Sequence, residues 1–185
     1  MYILSVDPSI DPNKFGFAAF RSPSPTGGGA GVGSLPTGAG VGLQYGTCKT
    51  YETGTIGVFE RLGQIYNFSH EIPAPDYIVI DYPSMSNYSR SSRGHKQLNG
   101  AALALNHQAI GAFLAGINLP EEKILKWNSA VHPVNKKLVK LSMISKYGLP
   151  PKTSDHITDA IYRGEWLADM LQRFDFKQLQ INEGI

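Results

Sequence analysis

The sequence predicts an α/β fold: a mixed five-stranded sheet, three antiparallel strands followed by parallel ones, flanked by helices. Three observations carry that expectation. Two aliphatic, β-branched runs, Ile3–Val6 and Tyr77–Ile80, have the composition of buried strands, and each ends in an aspartate. Gly16–Phe20 follows the first run after a Pro, Asn and Asp loop too short for a helical crossover, so those two strands pair antiparallel. Further along, segments with helical spacing separate the strands, which makes the later pairings parallel.

Each element follows in chain order. "YILSVDPSIDPNKFGFAAF" holds the first hairpin. Residues 22–46, "SPSPTGGGAGVGSLPTGAGVGLQYG", are Gly, Ser, Pro and Thr with few side chains able to pack, and read as a flexible insertion. No GK[ST] and no GxGxxG leading into a helix is present, so the glycines do not read as a phosphate loop. A third strand at Thr47–Thr55 completes the meander. "GVFERLGQIYNFSHEI" sets Val58, Leu62, Ile65 and Phe68 at helical spacing. "YIVID" is a buried parallel strand bounded by prolines. "NGAALALNHQAIGAFLAGINLP" is a helix of about twenty small and apolar residues, with Gly116 near its end. "KILKWN" is the fifth strand, and "VNKKLVKLSMISKYG" a basic helix closed by Gly148. "SDHITDAIYRGEWLADMLQRF" is a long helix with Ser154 as its N-cap.

One domain, 1–185, is the natural count for 185 residues, and 42% hydrophobic with 17% charged residues fits a soluble globular chain. No segment approaches the roughly 20 apolar residues of a membrane span, so no membrane partner is expected. Met1 leads straight into a strand without a basic leader, so the expected location is cytoplasmic. The lone Cys48 excludes an internal disulfide and a cysteine-rich zinc site. The formal charge is only +2, but its distribution is uneven. Arg90, Arg93, Lys96, Lys123, Lys126, Lys136, Lys137, Lys140, Lys146 and Lys152 face only Glu121 and Glu122 over the same stretch, which marks a basic middle suited to a polyanion.

The acids carry the chemistry. Asp7 and Asp81 each close a strand, and ligands of open α/β sheets gather beyond the carboxyl ends of strands. In the last long helix His156 and Asp159 share a face, as do Asp155 and Asp159, and Asp155 also suits the helix N-terminus. Carboxylates on two strand ends and one helix start form an oxygen-rich set suited to Mg2+ or Mn2+.

These residues give the chain its resemblance. "ILSVDPS…GFA", "YIVIDYPSM" and "HITDAIYRGEW", in that order, resemble the RuvC-type Holliday junction resolvases of the ribonuclease H-like superfamily. "KQLNGAALALNHQAIGAFL" resembles the family helix after the second acid, and "ILKWNSAVHPVNKKLVKLSMI" its strand and lysine-bearing segment. The likeness spans most of the chain and leaves out the Gly-rich insertion and the last dozen residues. It implies a ribonuclease H-like fold, a homodimer, and paired nicks in a four-way DNA junction made with two metal ions. Asp7 matches the first catalytic acid and Asp81 the second, which is usually Glu in the family, so this chain reaches about one methylene less far. Asp159 matches the last acid, and His156 falls where the family has Asp or His. Asp155 lies one residue out of register and reads as a cap or support. Lys136 or Lys137 matches a lysine near the scissile phosphate. A compact chain with such an insertion suits a phage or mobile-element source.

Beside Asp81 runs "SMSNYSRSSRGHKQ", whose Tyr88, Arg90, Arg93 and Lys96, with Lys136, Lys137 and Lys140, form the expected DNA-binding set. Met85 suits either a wedge between bases or packing. His95, His107 and His132 have no mutual metal spacing, and Trp127 and Trp166 belong to the core. The small-residue helix suits a dimer interface or a contact within the chain. Other readings stay open: a ribonuclease H-like nuclease for other branched DNA or RNA–DNA hybrids, a junction-binding protein that has lost cleavage, and an actin-like phosphotransfer fold, which lacks its second Gly-rich motif here.

Overall fold

Alternation along the strands settles which residues meet which layer. The computed structural model describes residues 1–11, 14–21, 35–36, 42–48, 57–83, 100–127 and 135–182. Strand β1 (Tyr2–Asp7) pairs antiparallel with β2 (Gly16–Arg21), Asp7 opposite Gly16. On its other side β1 pairs parallel with β5 (Tyr77–Asp81), Val6 opposite Ile80, one rung before the two aspartates. Strand β4 (Gly42–Thr47) lies antiparallel on β2, with the two-residue strand β3 (Leu35–Pro36) outside it, and β6 (Ile124–Trp127) lies parallel on β5. The sheet order is thus β3-β4-β2-β1-β5-β6.

Odd residues of β1 and β5 point to one face and even residues to the other, as the pleat requires. Leu4, Val6, Ile78 and Ile80 join Ile65 of α1 (Val58–Glu71) and Ile110, Phe113 and Ile117 of α2 (Gly100–Ile117) in one apolar core. Ile3, Val79, Leu125 and Trp127 face α3 (Lys136–Tyr147), α4 (Asp155–Met170) and α5 (Phe176–Asn182) in the other. Ser5, Asp7 and Asp81 carry polar groups on that second side.

The expected meander, helices and parallel strands are all present, and Trp127 is buried with Trp166 against it at a ring separation of 4.9 Å. Two expectations are corrected. A long strand, Gly42–Thr47, lies almost wholly within the stretch read as an insertion, with Leu43 fully buried, and the two-residue β3 makes six strands where five were expected; beyond Cys48 the expected strand Thr47–Thr55 lies outside the described residues. Gly116 stands near the end of its helix as expected, but for close packing: a Cβ there would overlap the Ser69 hydroxyl of α1, while Asn118 takes the left-handed cap at φ 49°. Lastly, α2, at 18 residues, is long and apolar enough by length and composition to cross a membrane, contrary to expectation. Its buried residues Leu103, Ala109, Ile110, Phe113, Gly116 and Ile117 form a one-sided stripe against the domain. Gly148 does close α3, at φ 61°, where only glycine is free of Cβ strain.

Candidate active site at the carboxyl edge of the sheet

Helix α4 is pressed onto β1 and β2 because glycine stands on both sides of the contact. A Cβ on Gly164 would overlap the Phe20 ring and crowd Ser5, and one on Gly16 would overlap the backbone of His156. Ser154 caps the helix, its hydroxyl accepting from the His156 N–H at 3.3 Å. With the helix fixed in this way, His156, Asp159 and Arg163, spaced three and four apart, all face the strand ends.

Arg163 lies at the floor of the site. Its guanidinium donates to Asp7 Oδ1 at 2.8 Å and to Asp81 Oδ2 at 2.7 Å, so one buried cation spans the ends of adjacent strands. Its side chain is 5% exposed, that of Asp7 7% and that of Asp81 22%. The other Asp7 oxygen meets His156 Nδ1. Burial alone would raise the Asp7 pKa, but the His156 hydrogen bond and the Arg163 charge outweigh it and hold the carboxyl below its ordinary 3.8. Burial likewise works against the Arg163 charge, yet Asp7, Asp81 and Asp159 keep it a cation.

Asp159, also buried, is met from the rim by Lys136 Nζ at 3.0 Å, a lysine 69% exposed along its side chain. That contact overrides desolvation and raises the Lys136 pKa. Asp155 points elsewhere: Lys140 Nζ donates to it at 2.6 Å and lowers its pKa.

The structure therefore brings together Asp7, Asp81, Asp159, His156 and Lys136, while Lys137 is exposed on the next position of α3. Tyr88, Arg90, Arg93 and Lys96 lie outside the described residues, as do Met85, His95 and His132. His107 stacks on Tyr82 at 4.9 Å and bonds the Pro83 carbonyl. Arg163 was missed by the sequence reading, although a signal existed: it falls four residues after Asp159, on the buried side of α4 with Ala160, Gly164 and Leu167.

In kind the donors suit a hard divalent cation, being three carboxylates and an imidazole beside a basic rim. In their present arrangement no group of three acid, His or Cys side chains among the described residues is disposed to hold one. The Arg163 fork takes one oxygen of each strand-end acid.

A mixed sheet whose leading strands run antiparallel and whose later strands run parallel, with helices on both faces, defines an α/β fold of the kind seen in RuvC structures. Among solved structures the chain is similar to RuvC of Thermus thermophilus, with 16% identity and a TM-score of 0.53 over 92% of this chain and 96% of that one. It is also similar to T. thermophilus RuvC in complex with a Holliday junction substrate, at 15% identity and a TM-score of 0.58 over the same shares. No protein-family model and no curated protein sequence matches the chain. The RuvC-like fold expected from the motifs is the one present.

Proposed function

We propose that this chain is a divalent-cation-dependent endonuclease that resolves four-way DNA junctions by paired nicks, acting as a homodimer. The observation that carries the reading is the convergence of Asp7, Asp81 and the α4 pair His156 and Asp159 on one edge of a RuvC-like sheet. The likeness to a RuvC structure bound to its Holliday junction supports branched DNA as the substrate class. Asp7, Asp81, Asp159 and His156 are the residues that would hold Mg2+ or Mn2+. When bound, such a cation polarises a phosphodiester and acidifies a water. The chain's own part is to fix the acids in place. Arg163 aligns the two strand-end carboxylates, His156 orients Asp7, and Lys136 stands at the rim where a phosphate would replace Asp159 as its partner.

A second reading has an observation of its own. The Arg163 fork on Asp7 and Asp81 leaves an arrangement that also suits a junction-binding protein without cleavage. Incubation of a synthetic four-way junction with the chain and Mg2+ or Mn2+, beside linear duplex and RNA–DNA hybrid, separates the readings. Symmetric nicks in the junction are expected. Asp7→Asn should lower cleavage by at least about a hundredfold while junction binding holds or tightens, since one negative charge is gone. Binding without any nicking would favour the second reading, and cutting of the hybrid alone would move the chain to another ribonuclease H-like activity.

A further inference from the structure

We propose that Arg163 is a built-in cation of this site, a positioning residue standing in for one metal ion, so that the chain takes a single divalent cation where the resemblance implies two. The inference rests on the nuclease reading above. Three features of the site support it.

The first is placement. The guanidinium bridges Asp7 Oδ1 and Asp81 Oδ2, carboxylates on adjacent strands, at 2.8 and 2.7 Å. Bridging two carboxylates is also what a shared divalent ion does, and a planar fork with two N–H arms performs it without hydration water.

The second is permanence. Arg163 is 4% exposed, and the residue after it, Gly164, is packed against Phe20 and Ser5 without room for a Cβ. The backbone that carries the guanidinium is thus held against the sheet, and the guanidinium itself is buried there. Lys136 differs: it reaches Asp159 from a largely exposed position, so its side chain can swing away when a cation or a phosphate arrives.

The third is charge. Asp7, Asp81 and Asp159 carry three negative charges, and the fixed Arg163 leaves two, which one divalent ion neutralises. A second ion would give the buried cluster a net positive charge in surroundings that solvate it poorly.

The test counts cations on the full chain without DNA, by Mn2+ titration read through calorimetry and the electron paramagnetic resonance signal of free Mn2+. Wild type is expected to bind a single Mn2+ per chain. Two per chain would overturn the inference and leave the nuclease reading standing, whereas none at millimolar Mn2+ would remove the nuclease reading itself. Arg163→Met keeps the length and removes the charge. It should bind a second Mn2+, and its melting temperature should rise with Mn2+ more steeply than that of wild type. A folded Arg163→Met that still binds one Mn2+ with unchanged affinity overturns the inference. If Arg163→Met does not fold, Arg163→Lys decides beside the wild-type count. It retains the positive charge and should retain a single Mn2+; a second ion there would show that charge is not what limits the number.

Discussion

The two faces of one sheet solve opposite problems with the same strands. On the α1–α2 face Leu4, Val6, Ile78 and Ile80 meet Phe113 and Ile110 in a layer that is apolar throughout, where burial of each large side chain contributes about 1.5–3 kcal/mol. On the α4 face the same two strands present Ile3 and Val79 to the core and then, at their ends, Asp7 and Asp81 to a buried arginine. The first face tolerates approximate fit, because dispersion and hydrophobic burial are not directional. The second does not, because a buried ion pair with one partner missing is worse than no pair at all. Stability and chemistry are thus divided across the thickness of a single sheet, by the two-residue period of its strands.

Paired substitutions put that division to its hardest test. Phe113→Ala and Arg163→Ala should each cost about 3–5 kcal/mol at pH 7, the first by leaving a cavity and the second by stranding the buried Asp7 and the half-buried Asp81. Denaturant melts at pH 7 and near pH 3 then distinguish them. The Phe113→Ala deficit should stay constant, while the Arg163→Ala deficit shrinks as Asp7 gains a proton. Equal deficits at both pH values would erase the distinction between the faces.

Acid and base limbs of the wild-type stability curve give a smaller effect. Because the Asp7 carboxyl is held below 3.8 in the folded chain, its contribution is complete above that value and is lost as pH falls through the lower, folded one. The Lys136 pKa is raised above 10.5, so its contribution is present below that value and lost as pH climbs through the higher, folded one. Lys136 is mostly exposed, which keeps the alkaline loss within about 1 kcal/mol. Thermal melts across pH 2–12 should therefore show the steeper fall on the acid side, and Asp7→Asn should flatten it.

The least effect is expected at the far edge of the sheet. Replacing residues 24–34 by a short Gly-Ser linker should move the melting temperature by only a few degrees, since closing a loop of altered length costs little. Extending the replacement through Gly42–Thr47 should cost much more, because Leu43 of that strand is fully buried against the α4 side.

What the sequence disclosed, and what it withheld, follows the same physics. Asp7 and Asp81 were legible because an acid after an aliphatic run is a local signal, and His156 with Asp159 because helical spacing is local too. The strand Gly42–Thr47 was hidden: glycine in a strand adds no side chain to pack, and two glycines within Gly-rich surroundings looked like more of the insertion. Arg163 was hidden for a different reason. A lone arginine on the apolar side of a helix acquires meaning only when residues 156 and 82 positions away arrive beside it. The glycines at 16 and 164 speak through distance as well, for nothing in their neighbours announces that another backbone or ring will press against them.

Gly164 also bears on how such a site could change over generations. A lineage that placed any larger residue there would have to push α4 away from Phe20, and the guanidinium one residue earlier would then lose its reach to two strands at once. Neither position can drift freely while the other is kept. Glycine and arginine at 163–164 should therefore be inherited as a linked pair, gained together and abandoned together, and a relative that lacks one should have rebuilt the charge balance of its strand-end acids by other means.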